Sequence, residues 1–171
     1  MRVQLGMVAA GYVVVLAAAA LLVFVRYMLY VNHPQDAAAA GGMYAAGDLM
    51  LEIIIACMLL VPTFVLALVL RKSESLYTGY SKVLLGLSLT APICLGVISI
   101  PAVSQGTMLL GWICMDRMFV SPIVIVGLVG SRLLARFDRA KRLTLYALLI
   151  EVLTLALAAG LFLFAAGGHG G

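Results

Sequence analysis

Residues 13–25 read VVVLAAAALLVFV, an unbroken apolar run. Outward from it the apolar stretch extends from Val3 to about Val31, with Arg26 as its single charge. A helix that crosses a hydrocarbon layer of about 30 Å needs roughly 20 mainly apolar residues, and this stretch has them. A secretory signal has a shorter apolar core, roughly 7 to 15 residues, ending at small residues. Ala17 to Ala20 imitate such an ending, yet residues 21–25 continue the run without a break, so a retained helix is expected.

Four further stretches repeat the pattern, and helices are expected over 3–31, 43–70, 82–103, 107–134 and 143–166. Polar and turn-forming residues punctuate them: Asn32 to Asp36 with Gly41 and Gly42, the loop 71–82, and Ser104, Gln105 and Gly106. The chain has 171 residues, of which 65% are hydrophobic and 11% charged. Its mean hydropathy is +1.19. A soluble domain normally carries roughly a quarter charged residues because its surface faces water. The expected fold is therefore an all-α integral membrane bundle of about five transmembrane helices. It forms a single transmembrane domain over 1–171, leaves no room for a separate soluble domain, and ends in a glycine- and histidine-bearing tail at 167–171.

The charges set the expected topology. Eight of the eleven Lys and Arg residues lie in two short segments: Arg71, Lys72 and Lys82, then Arg132, Arg136, Arg139, Lys141 and Arg142. Basic residues in short loops mark the cytoplasmic side. With five alternating helices Arg2 joins them, which places the N-terminus inside, the C-terminus outside and the chain in a bacterial-type inner (plasma) membrane. The basic loops suit anionic lipid headgroups. No basic groove with interleaved aromatics is present, so nucleic acid is not an expected partner. Pro62, Pro92 and Pro122 fall inside three successive helices; each removes a backbone donor, and three proline-kinked helices are expected. Small residues, Ala17 to Ala20, Gly127 with Ser131, and Ala156 with Gly160, allow close helix approach in lipid.

Ionisable residues within the helices are the candidate site, because charge in hydrocarbon is costly unless paired or hydrated. At about 1.5 Å of rise per residue, Arg26, Asp48, Glu52, Asp116 and Arg117 all fall in the outer half of the bundle. Asp48 and Glu52 are four apart and share a helix face. The five residues read as a salt-bridge network locking helices one, two and four, or as an outward-facing site for a cation, a proton or a polar headgroup. Glu151 lies about 13 Å into the last helix by the same rise, with no basic residue in its own apolar stretch. Tyr12, Ser88 and Thr90 are expected near its depth. A lone membrane carboxyl is either a structural hydrogen-bonding group or a proton- or ion-coupling residue.

Other chemistries find no support in the residues. Cys57, Cys94 and Cys114 sit in apolar runs, form no C-x-x-C pair and read as small buried hydrophobes. His33 and His169 lie outside the helices, so no span offers an imidazole ligand. The outer methionines (Met28, Met43, Met50, Met108, Met115 and Met118) read as packing material rather than as a copper site. Nucleophile motifs, phosphate loops and zinc spacings are missing; no catalytic residue, metal ligand or cofactor is assigned, and nothing argues for an enzyme. The expected function is a small non-catalytic accessory or structural subunit of a larger membrane complex, such as an energy-transducing one. Its partners are the lipid bilayer and other membrane subunits or further copies of itself. The alternatives are a proton- or cation-coupled transporter using the intramembrane carboxylates, and a quinone- or lipid-binding protein using Arg117 and Asp116 for the headgroup.

Overall fold

The structure, a computed structural model, describes residues 2–32, 35, 40–100 and 108–167. They form five helices: α1 (Arg2–Asn32), α2 (Gly41–Leu70), α3 (Glu74–Ser99), α4 (Met108–Leu134) and α5 (Asp138–Gly167). All five are long and apolar enough to cross a membrane. Pro62, Pro92 and Pro122 lie inside continuous helices. His33, most of the first connection, the turn at 104–106, the end of the expected third helix at 101–103, and residues 168–171 lie outside the described residues.

Two helix starts differ from the sequence expectation, for the same reason. α3 begins at Glu74 rather than at 82, and α5 at Asp138 rather than at 143. Hydropathy marks 74–82 and 138–142 as loop because they are polar. Both segments nevertheless open with an acidic residue in the first turn, where the helix dipole favours negative charge. Each also presents residues to the interior: Tyr77, Thr78 and Ser81 of α3 and Ala140 of α5 are buried. Packing therefore extends the helices through polar sequence. At the other end of α3, Ile100 is extended (φ −105°, ψ 100°), the conformation preferred before a proline.

The chain divides into two compact units, Met1–Val69 with α1 and α2, and Leu70–Gly171 with α3, α4 and α5. In the first unit Tyr12 of α1 pairs with Thr63 of α2, and Arg26 with Asp48. Positions rise on one helix as they fall on the other, which makes the pair antiparallel. In the second unit the three helices contact one another pairwise, most extensively α3 against α5.

The interior of the second unit is small and hydroxylated rather than large and apolar. On α5 the buried positions are Ala140, Thr144, Ala147, Glu151 and Thr154, alternating four and three apart. On α4, Cys114, Ser121 and Leu128 repeat every seven residues, with Ala135 just past the helix end continuing the series, and on α3, Tyr77, Ser81, Ser88 and Ala91 follow the same seam. That spacing is the 3.5-residue repeat of left-handed helix packing. Large apolar residues point the other way, with Leu133 81% and Phe164 85% exposed. Lipid tails are as apolar as leucine, so burying large side chains gains little; close backbone approach and interhelical hydrogen bonds hold the helices together instead. At the end of the α3–α4 seam, Tyr77 Oη donates to the Ser131 carbonyl and Tyr80 Oη shares a hydrogen bond with Ser131 Oγ (2.9 Å).

Candidate functional site

The intramembrane polar residues assemble into two centres, one in each unit.

In the first unit Arg26 of α1 is the hub. Its Nε donates to Asp48 Oδ1 (2.7 Å) and its Nη2 to the Tyr44 carbonyl (2.7 Å). Tyr30 Oη donates to the second oxygen of Asp48, Oδ2 (2.5 Å). The guanidinium also sits 5.0 Å from the centre of the Tyr30 ring and 4.8 Å from that of Tyr44, within the range at which aromatic faces attract cations. Gly47 makes room for it: a Cβ there would lie 2.8 Å from Arg26 Nη2. The centre is half open, with side-chain exposures of 23% for Arg26 and 41% for Asp48. Glu52 lies one turn further along α2 and is half-buried. Tyr12 bonds Thr63 Oγ1 at 2.9 Å. Because the Thr63 hydroxyl donates its proton to the Leu59 carbonyl (2.7 Å), Tyr12 is the donor.

In the second unit Arg117 of α4 pairs with Glu151 of α5 through Nη2 and Oε1. Arg117 Nε donates to Thr90 Oγ1 of α3 (3.1 Å), Nη1 to Ser121 Oγ (3.0 Å) and Nη2 to the Leu87 carbonyl (3.4 Å). One guanidinium thus ties all three helices. Glu151 is fully buried and the Arg117 side chain 14% exposed. Such a pair is costly to desolvate, and its members need each other: removing one partner of a buried pair typically costs about 3–5 kcal/mol. The satisfaction is incomplete. Glu151 Oε2 and Ser88 Oγ are buried and have no hydrogen-bond partner among the described residues.

The sequence left Glu151 without a cation and grouped Arg117 with Asp116 and the residues of the first two helices. The structure instead gives Glu151 to Arg117, while Asp116 is half-buried and has no ion-pair partner among the described residues. A signal for the pair was present. Arg117 lies roughly 13–15 Å from one end of its span and Glu151 about 13 Å from the other, and together these depths make up most of the hydrocarbon thickness. On successive helices this puts the two residues at one level. The roles of Ser121, Tyr30 and Tyr44 carried no such signal, since hydroxyls and aromatics abound in the chain.

Among the described residues no three His, Cys, Asp or Glu side chains cluster so as to hold a metal ion. In comparisons with protein-family models, curated proteins and solved structures, nothing matches this chain.

Proposed function

We propose that this small multi-pass membrane protein is a non-catalytic subunit that packs against other membrane proteins in a larger assembly, with its basic loops on the cytoplasmic face of a bacterial inner membrane. The observation that carries this reading is the use of both intramembrane arginines. Arg26 is taken up by Asp48 and Arg117 by Glu151, each within its own unit, so the charge in each centre is spent on holding helices together. Surface features are in keeping with it. Ala156 and Gly160, a small-residue pair four apart, are exposed on α5, and the space around Gly160 is open, as a second helix would need for close approach. The test is gentle native purification of the tagged protein from its own host, with mass spectrometry of what accompanies it. Stoichiometric membrane partners are expected, and Gly160→Ile should release them while the chain still inserts. A homogeneous oligomer of this chain alone would sink the reading.

One observation favours a second reading, a proton- or cation-coupled carrier: the free oxygen of a carboxylate buried at mid-span, Glu151 Oε2. A buried polar atom left so calls for a bound proton, an ordered water or a small cation to satisfy it. This reading expects Glu151→Gln to abolish flux across proteoliposomes while leaving the protein folded; unchanged flux would end it.

A further inference from the structure

The helices joined by Arg26 leave part of its guanidinium unused. Nε and Nη2 carry the hydrogen bonds to Asp48 and Tyr44, and Nη1 makes none among the described residues. The side chain is also 23% exposed, so an outside acceptor has access to it. A guanidinium edge of this kind matches the oxygens of a phosphate group.

Arg26 also forms part of the wall of a groove between α1 and α2, with a volume of about 230 Å³. It is the single charged residue among those lining the groove, and Gly47, whose missing side chain leaves space for the guanidinium, lies in the same wall. The remaining lining is aliphatic or Met50. Because α1 and α2 are antiparallel, Leu22, Leu51 and Ile54 lie on the side of Arg26 that leads toward the Tyr12–Thr63 contact. The groove therefore has a cationic end and an apolar end. Its volume is below the range of sites that enclose a whole small molecule, but an extended chain can lie along it with the rest of its molecule outside.

Depth points the same way. The α1 span, Gln4–Asn32, has 29 residues and is about 43 Å long at 1.5 Å per residue. A bilayer with its headgroups measures about 40–45 Å and its hydrocarbon about 30 Å. Arg26 is about 9 Å from the Asn32 end by the same rise, just inside the boundary where hydrocarbon gives way to headgroups. The apolar end of the groove runs from there into the hydrocarbon.

We propose that this groove is a phospholipid site, in which Arg26 Nη1 donates to the lipid phosphate and one acyl chain lies along Leu22, Leu51 and Ile54. The lipid is recognised by its phosphate, since Asp48 already balances the arginine's charge and leaves no excess to select for net headgroup charge. The site belongs to the first unit alone and does not depend on the subunit reading.

The test is native mass spectrometry of the full chain in a mild non-ionic detergent, with one lipid added at a time. The probes are dioleoyl phosphatidylglycerol, dioleoyl phosphatidylethanolamine and dioleoylglycerol, which has the same chains and no phosphate. Each phospholipid is expected to give one adduct per chain that survives activation sufficient to strip dioleoylglycerol. Leu22→Trp fills the groove one turn from Arg26 without touching the Arg26–Asp48 pair, and it should abolish the retained adduct, as should Arg26→Gln. If Arg26→Gln fails to insert, Leu22→Trp decides alone. Equal retention of dioleoylglycerol, adducts without a preferred stoichiometry, or undiminished phospholipid binding to Leu22→Trp would each overturn the proposal. So would inorganic phosphate binding as firmly as the phospholipids, which would make the centre an anion site without a lipid.

Discussion

The two arginine centres solve one problem in different ways. Arg26 sits between two helices in a half-open setting, where two tyrosine rings, a backbone carbonyl and Asp48 share its charge. Arg117 sits among three helices, and its charge is met by a carboxylate with no exposed surface and by hydroxyls and a carbonyl of α3 and α4. The first centre has access to other partners when one is lost. The second does not, because a buried charge left alone finds neither water nor a substitute. In lipid, the strength of an ion pair therefore depends on what replaces it as much as on the pair itself.

That contrast orders three expectations. The largest effect falls on Arg117→Ala, which strands the Glu151 carboxylate and should cost about 3–5 kcal/mol. The loss is read from unfolding in mixed micelles of mild detergent and sodium dodecyl sulfate. The double change Arg117→Met with Glu151→Leu should recover most of it, since a well-packed apolar pair of similar volume is often no less stable than a buried ion pair. Strictly additive losses would show that the two residues are not coupled. Next comes Arg26→Ala, whose loss should be a minor fraction of the Arg117→Ala loss in the same assay; equal losses would erase the distinction between the centres. The smallest effect is expected from Gly47→Ala. The new Cβ would crowd Arg26 Nη2 and turn the guanidinium off the Tyr44 carbonyl while Asp48 keeps its hold, so the loss should be smaller than that of Arg26→Ala. A Gly47→Ala loss matching Arg26→Ala would mean that the carbonyl and ring contacts, rather than Asp48, hold the arginine.

Much of the fold was legible without coordinates. Five apolar runs of spanning length announce five helices, because hydrocarbon tolerates hardly any other backbone arrangement. The helix ends were less legible where polar residues turn inward: Tyr77, Thr78 and Ser81 look like loop in a hydropathy reading and are buried in α3. Hydropathy records what a side chain prefers as solvent, not which neighbour satisfies it. The list of intramembrane charges was legible too, since each stands out against an apolar background.

Pairing was not. By its own sequence Glu151 is a carboxylate with no cation near it, and Arg117 has Asp116 beside it in the chain. Adjacent residues on a helix point in different directions, so the neighbour in sequence is a poor partner, and the three-helix packing of the second unit hands Arg117 to Glu151 instead. Composition and hydropathy by themselves determined that this chain is a bundle of membrane-spanning helices and which of its residues are too polar to lie idle there. The partner of each was decided by tertiary structure alone, because pairing depends on helix rotation and register, which arise from close packing of small residues and leave no periodic mark of their own on hydropathy.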